Sequence, residues 1–382
     1  MANEKKTVRE PSFILALVPI VAMIAFMLYC FRGHSETGYH DAHLPLVMSI
    51  IVACIVGFIC GHSFQEMLAG MVERLAASME AVLILATVGF LVTSFMLSGA
   101  IPTMIVYGLD LLTPKLFLPV GCILCAIVGM ACGSSWTTTA TIGLAFLGIG
   151  AGLGIPAPIT AGMIISGAYV GDKFSPLSDT TNLAAAVAET GLFDHVTAMV
   201  STTGPTLLLS LILYTILGLN VDTSAYDATV AEGIQEAFRS AFTISPILLL
   251  PIIVVIVMCI LRVPGLVGIA ISVATAVVFM LIFQSTDIFY SYSLGDIFDV
   301  LHYGHAVETG NAVADSILGK AKGMDGMMWT INLILVALAY GGALERCGCI
   351  EKLFGGLKHK IHSVGSLILA TLLTSIFCDA TM

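Results

Sequence analysis

No charged side chain occurs between Leu116 and Gly171, a run of 56 residues. Shorter charge-free runs cover Pro11–Phe31, Ala81–Leu109, Val196–Val221, Ser240–Leu261, Val263–Thr286 and Gly326–Leu344. A helix needs about 20 apolar residues to cross a hydrocarbon layer about 30 Å thick. Charged residues are only 10% of the 382-residue chain, where an ordinary soluble domain carries roughly 25%. These runs exclude a soluble enzyme, a nucleic-acid binder and a secreted disulfide module. Hydrocarbon cannot hydrogen-bond a bare backbone, so only helices or closed barrels span it. Barrel strands alternate apolar and polar residues, whereas Ile247–Leu261 is apolar on every side. The expected fold class is an all-α polytopic membrane protein, with the lipid bilayer as its partner and no nucleic acid.

Charge-free length predicts spans at Phe13–Phe31, Leu44–Cys60, Met79–Leu97, Val196–Leu219, Ile244–Leu261, Pro264–Phe283, Met327–Leu344 and from about Ile361 onward. A longer segment, Lys115–Tyr169, holds more than one crossing. Phe13–Phe31 is too long for a signal-peptide core and lacks a cleavage site of small residues. Ser63–Ser78, with Glu66, Glu73 and Arg74, reads as an interfacial amphipathic helix. Lys5, Lys6 and Arg9, and the loop Arg346–Lys360, place both the N-terminus and that loop in the cytoplasm. The acidic loops Asn220–Arg239 and Gln284–Asp325 then face outward, and Lys115–Gly154 must contribute an even number of crossings.

Thr93–Ile101 resembles Leu338–Leu344: each closes an apolar helix and precedes a short amphipathic piece and a new span. The first copy ends outside and the second inside, the arrangement of inverted-topology repeats with discontinuous helices. The expected organisation is residues 1–219 as the first repeat, 220–243 as an exterior loop and 244–382 as the second repeat. The second copy stops inside an apolar run, so that repeat is expected to be incomplete and the chain a truncated form.

Two polar stretches interrupt the apolar background. The first is Gly133-Ser134-Ser135-Trp136-Thr137-Thr138-Thr139, and the second runs from Gly171-Asp172-Lys173 through Ser175, Pro176, Ser178, Asp179, Thr180 and Thr181 to Asn182. Pro156–Val170 is 15 residues, roughly 23 Å of helix at 1.5 Å per residue, so Asp172 is expected within the membrane, with Pro176 breaking the helix after it. Hard cations such as Na+ favour carboxylate, hydroxyl and carbonyl oxygens. Asp172, Asp179, Ser175, Ser178, Thr180, Thr181 and Asn182 offer these, and Ser134, Ser135, Thr137 and Thr138 add hydroxyls. A carboxylate withdrawn from water holds a proton more tightly, so Na+ and H+ would compete for the same oxygens. Lys173 is the nearby counter-charge, with Trp136 and Pro176 in support. The alternative is a charge pair at a helix end, with hydroxyl bonds between packed helices. Gly167-x-x-x-Gly171 and Gly129-x-x-x-Gly133 read as close helix contacts.

Other polar groups offer less. Cys122-x-x-Cys125 has no second ligand pair and reads as packing. His34, His40, His43, His302 and His305 read as solvated, and no cofactor is called for. An aspartyl intramembrane protease needs G-x-G-D, but Tyr169 replaces the first Gly; a serine type needs G-x-S-G, but Trp136 follows Ser135. The chain is therefore not read as an enzyme.

Gly167–Ala184 resembles the signature of NhaC-type sodium/proton antiporters, and Gly133–Thr138 resembles their other polar motif. The resemblance implies an ion-transporter fold with two inverted halves in a bacterial plasma membrane, exchanging cytoplasmic Na+ for external H+. As the alternative it allows malate with protons exchanged for lactate with Na+, so a small organic anion is a further expected partner; an inactive fragment and a homo-oligomer are also compatible. By the same resemblance, Asp379 falls where the second half's polar motif begins.

Overall fold

A computed structural model describes residues 8–32, 41–175, 178, 180–181, 184–185, 190–220, 228–261, 263–284, 294–358 and 363–381. Among the described residues the chain is helical and contains no strand. Four helices are long and apolar enough to cross a membrane: Phe13–Phe31, Leu192–Leu219, Gly265–Phe283 and Asp325–Arg346. Two bent pairs raise this to six if each is one span. The protein is thus the expected all-α polytopic membrane protein.

Two compact units make up the chain: Met1–Leu83 with Met328–Met382, and Ile84–Met327. In the first, helices Phe13–Arg32 and His43–Ile59 pack together, with Ala16, Ile20, Met23, Leu46 and Met67 buried beside Tyr340 and Leu344. The Arg9 N–H donates to the Cys60 carbonyl at 2.8 Å and ties the N-terminal segment to the end of the second helix. Ser63–Ser78 does not form a separate interfacial helix. It opens helix Phe64–Leu97, which bends by 43° between Phe64–Met79 and Val82–Leu97, with no proline in a sequence rich in Glu, Met, Leu and Ala.

The second unit holds both polar stretches and a core centred on Phe95, Ile101, Ile105, Phe117, Leu118, Ile149 and Phe238. Helices Pro114–Cys132 and Ser135–Thr138, a π-turn at Thr139–Gly143, and helix Leu144–Gly152 fill the segment before Gly154. These form two helical stretches joined at Gly133-Ser134. The expected Ile244–Leu261 span is instead a 3-10 turn, Pro246–Leu249, followed by an 11-residue helix, Leu250–Ile260. Its axis turns by 91° from the preceding helix.

That preceding helix, Ala228–Ala241, lies in one of the acidic segments. Ala231, Ile234 and Phe238 form one apolar face at helical spacing and are buried in the core. Gln235 Nε2 donates to the Val106 carbonyl at 3.0 Å and to Asp110 Oδ1 at 2.8 Å, fixing its position. The other acidic segment contributes Ala312–Leu318, whose Ala314, Ile317 and Leu318 are buried likewise.

Asp315 accepts from the Thr309 N–H and hydroxyl, both at 2.7 Å. These bonds, the backbone one foremost, hold its carboxyl below the usual carboxylate range. A depressed folded-state pKa contributes stability above the ordinary value of about 3.9 and loses it as pH falls through the lower folded value. Limited proteolysis of segment 304–323 should therefore accelerate only below about pH 4. Asp315→Asn should remove that acid dependence.

Gln284 caps helix Gly265–Phe283 and is 5% exposed. Its amide donates to the Ser98 carbonyl at 2.8 Å and accepts from the Thr243 N–H at 3.0 Å, closing three distant segments on one point. Next to it, Gly99 has φ +81°, which lets helix Phe64–Leu97 turn sharply into Ala100–Leu111. Gly348, with φ +71°, makes the same turn between Asp325–Arg346 and Cys349–Lys358. Each short helix is followed by an apolar one, Pro114–Cys132 and Val364–Thr381 respectively.

Candidate functional site

Helix Pro114–Cys132 ends because Gly133 adopts a left-handed conformation (φ 63°, ψ 26°). Ser134 is extended and caps the next turn, its Oγ accepting from the Thr137 N–H at 3.2 Å and from the Thr137 hydroxyl at 3.1 Å. Thr138 and Thr139 donate to the carbonyls of Ser134 and Ser135 at 2.9 and 2.8 Å, and Thr141 donates to Thr137 at 2.7 Å. The hydroxyl bonds of this stretch are thus local rather than between helices. A hydroxyl that donates keeps lone pairs free to accept or to ligate a cation. Thr137, Thr138 and Thr141 are buried, with Ser135 5% exposed. Trp136, by contrast, is 56% exposed.

The second break falls slightly later than the 15-residue estimate. Helix Ala157–Phe174 has 18 residues and runs through Asp172 and Lys173 before it stops. Ser175 is extended (φ −82°, ψ 123°), the conformation expected of a residue before proline. Asp172 therefore occupies the last helical turn and is 5% exposed. The closing carbonyls of a helix carry partial negative charge. A buried carboxylate beside them is stabilised by a bound cation or a proton.

Beyond the helix the chain folds back on its end. The Thr181 hydroxyl donates to the Asp172 and Lys173 carbonyls at 3.4 and 3.3 Å. Ser178 Oγ lies 3.0 Å from Thr180 Oγ1 and accepts from the Thr181 N–H at 3.4 Å. Lys173 Nζ donates to Thr180 Oγ1 at 3.2 Å. Ser175, Ser178 and Thr181 are buried, whereas Thr180 is exposed. Asp179, Asn182 and Pro176 lie outside the described residues. Asp379 falls within helix Val364–Thr381, its side chain also outside the description.

The two stretches meet. Turn Ser135–Thr138 packs on helix Ala157–Phe174, and helix Pro114–Cys132 packs along it. Any side chain at Gly171 would collide with the Ala126 carbonyl and the Met130 N–H, and one at Gly129 with the Ala168 carbonyl and the Asp172 N–H. The glycines are close helix contacts, and they bring the Asp172 backbone against the helix that ends at Gly133. The sequence reading missed Thr141, buried in the π-turn after the first break, and Thr160, buried on helix Ala157–Phe174. The signal was present, since Thr141 continues the first polar stretch and Thr160 is an isolated hydroxyl inside the 56-residue charge-free run. Cys122 and Cys125 are buried in the apolar core. No group of three or more His, Cys, Asp or Glu suited to a metal occurs among the described residues.

An all-helical membrane protein with a carboxylate and hydroxyls gathered at broken helices has the architecture of a secondary transporter. Residues 167–382 match the model of the Na+/H+ antiporter family. The chain is 34% identical over 336 residues to the Na+/H+ antiporter NhaC of Alkalihalophilus pseudofirmus, covering 88% of this chain and 71% of that one. It is 34% identical to the arginine/ornithine antiporter ArcD of Halobacterium salinarum, covering 97% of this chain and 75% of that one. It is 31% identical to the malate-2H+/Na+-lactate antiporter of Bacillus subtilis, covering 98% and 78%. No solved structure matches significantly. The chain belongs to the Na+/H+ antiporter family and is of the NhaC type.

Proposed function

We propose that the protein exchanges Na+ for H+ across a bacterial plasma membrane, with its N-terminus cytoplasmic, and that Asp172 carries the exchanged ion. The observation that supports this most directly is the burial of Asp172 in the closing turn of a broken helix, with Ser175, Ser178 and Thr181 folded over it. Na+ would take the Asp172 carboxylate together with hydroxyl and carbonyl oxygens of these residues and of Ser134–Thr138. Protonation of the carboxylate removes the charge that holds the cation, so one ion leaves as the other binds. Asp179, Thr180 and Asn182 complete the set, and Lys173 balances the local charge. The matching turns at Gly99 and Gly348 support two inverted repeats, 1–219 and 244–382, joined through 220–243. Asp379 would then stand in the second repeat's counterpart of the site.

The test is reconstitution of the chain in liposomes carrying an internal pH dye, with Na+, Li+, K+ and malate gradients compared. A Na+ gradient should drive proton movement, while K+ should drive none. If no cation moves protons, the proposal fails. The malate and lactate named for one relative motivate a second reading, exchange of a small organic anion coupled to Na+ and H+. Radiolabelled malate uptake that requires Na+ would favour it over simple ion exchange.

A further inference from the structure

Within the unit formed by Met1–Leu83 and Met328–Met382, an apolar slot of about 200 Å³ is lined by Ile20, Leu46, Ile334, Leu338, Leu344 and Phe354. An engineered apolar cavity of about 150 Å³ already holds benzene, so the slot has room for a segment of hydrocarbon. Tyr340 also lines it; the residue is 3% exposed, and its hydroxyl is buried without a hydrogen-bond partner. A buried hydroxyl without a partner costs free energy that a ligand oxygen would recover. Arg74 and Glu345 are the charged residues of the slot, and both also line a polar cavity of about 620 Å³ that includes Glu73 and Arg346. None of these four comes within 4 Å of an opposite charge on another described residue; Glu66 in the same cavity lies 3.7 Å from His62 and also feels the charge of Arg346. Glu345 and Arg346 close the span Asp325–Arg346, the depth at which headgroups lie.

We propose that this slot and cavity form a specific site for a phospholipid with a phosphoethanolamine headgroup. The ten residue steps from Ile334 to Leu344 give about 15 Å of helix, which lines the acyl part, with Tyr340 donating to an ester oxygen. Arg74 and Arg346 hold the phosphate, for which guanidinium geometry is suited. Glu73 and Glu345 hold the ammonium. Two guanidinium groups set among carboxylates match a zwitterion better than an anionic lipid. The primary ammonium donates hydrogen bonds that a quaternary choline cannot.

The test equilibrates the full chain in mixed detergent micelles with equal amounts of phosphatidylethanolamine, phosphatidylcholine and phosphatidylglycerol, and counts retained lipid by native mass spectrometry. Phosphatidylethanolamine should be retained about tenfold over the others, equivalent to about 1.4 kcal/mol. Glu345→Gln should erase the preference over phosphatidylcholine while leaving total lipid retention. Arg346→Gln and Ala337→Trp, the latter filling the slot that Ala337 also lines, should lower retention of every lipid. Tyr340→Phe keeps the packing and should weaken retention without unfolding the chain. Equal retention of the three lipids, or a preference for phosphatidylglycerol, overturns the proposal. So does an unchanged lipid count in both Arg346→Gln and Tyr340→Phe.

Discussion

Asp172→Asn should lower Na+-driven proton movement by on the order of 100-fold, the effect of losing about 3 kcal/mol of charge-assisted contact with the cation. The argument rests on shape as much as charge. Asparagine has the size of aspartate, so it fits the last turn of helix Ala157–Phe174 and leaves the crossing at Gly171 undisturbed. What disappears is a group able to hold a cation in one state and a proton in another. Melting temperature should consequently stay within a few degrees of the parent while flux collapses. Thr181→Val is the graded companion. It removes the hydroxyl that donates to the Asp172 and Lys173 carbonyls, so the apparent Na+ affinity should fall only several-fold, in keeping with about 1 kcal/mol for one hydrogen bond. If Asp172→Asn transports at the parental rate, the ion site lies elsewhere.

The second large effect concerns the helix pair that carries the site. Gly171→Leu should abolish folded protein, at a cost of about 3 kcal/mol or more. The atoms it would strike, the Ala126 carbonyl and the Met130 N–H, belong to the backbone of the neighbouring helix and cannot swing aside as a side-chain tip would. Gly162→Ala is the control in the same helix. The new methyl there meets Tyr214 Oη at 3.6 Å, an ordinary contact, and alanine raises helix propensity by up to about 1 kcal/mol. Size-exclusion profiles and melting curves of the two variants should diverge sharply. A monodisperse, parent-like Gly171→Leu would show that the crossing is looser than described.

The spans were legible because a run of about 20 residues without charge leaves few alternatives to a membrane helix. Helices Phe13–Arg32 and Gly265–Phe283 match their expected ranges to within a residue or two. The two buried acidic segments were not legible. In Ala228–Ala241 the apolar face is three or four residues set among Glu232, Gln235, Glu236 and Arg239, a pattern that also suits a solvated loop helix. Only the pairing of Gln235 with Val106 and Asp110, across more than 120 positions, reveals where that face goes. At the candidate site the residue types and the two breaks could be read directly, because hydroxyls and carboxylates are rare in an apolar background. The meeting of the breaks could not. The glycine spacing announced close helix contacts, but not that Gly129 and Gly171 face each other, because spacing does not say which helix a glycine meets.

Gln284 carries a consequence for how the molecule is made. Its amide satisfies the Ser98 carbonyl from 186 positions downstream. At synthesis rates of about 5–20 residues per second, the amide emerges roughly 10–40 s after the carbonyl it serves. For that interval the turn at Ser98-Gly99 has an acceptor that hydrocarbon cannot satisfy. The turn must therefore remain in contact with water or with the insertion machinery until Gln284 arrives. The joint among Ser98, Thr243 and Gln284 thus closes late, after the helices before it have been made.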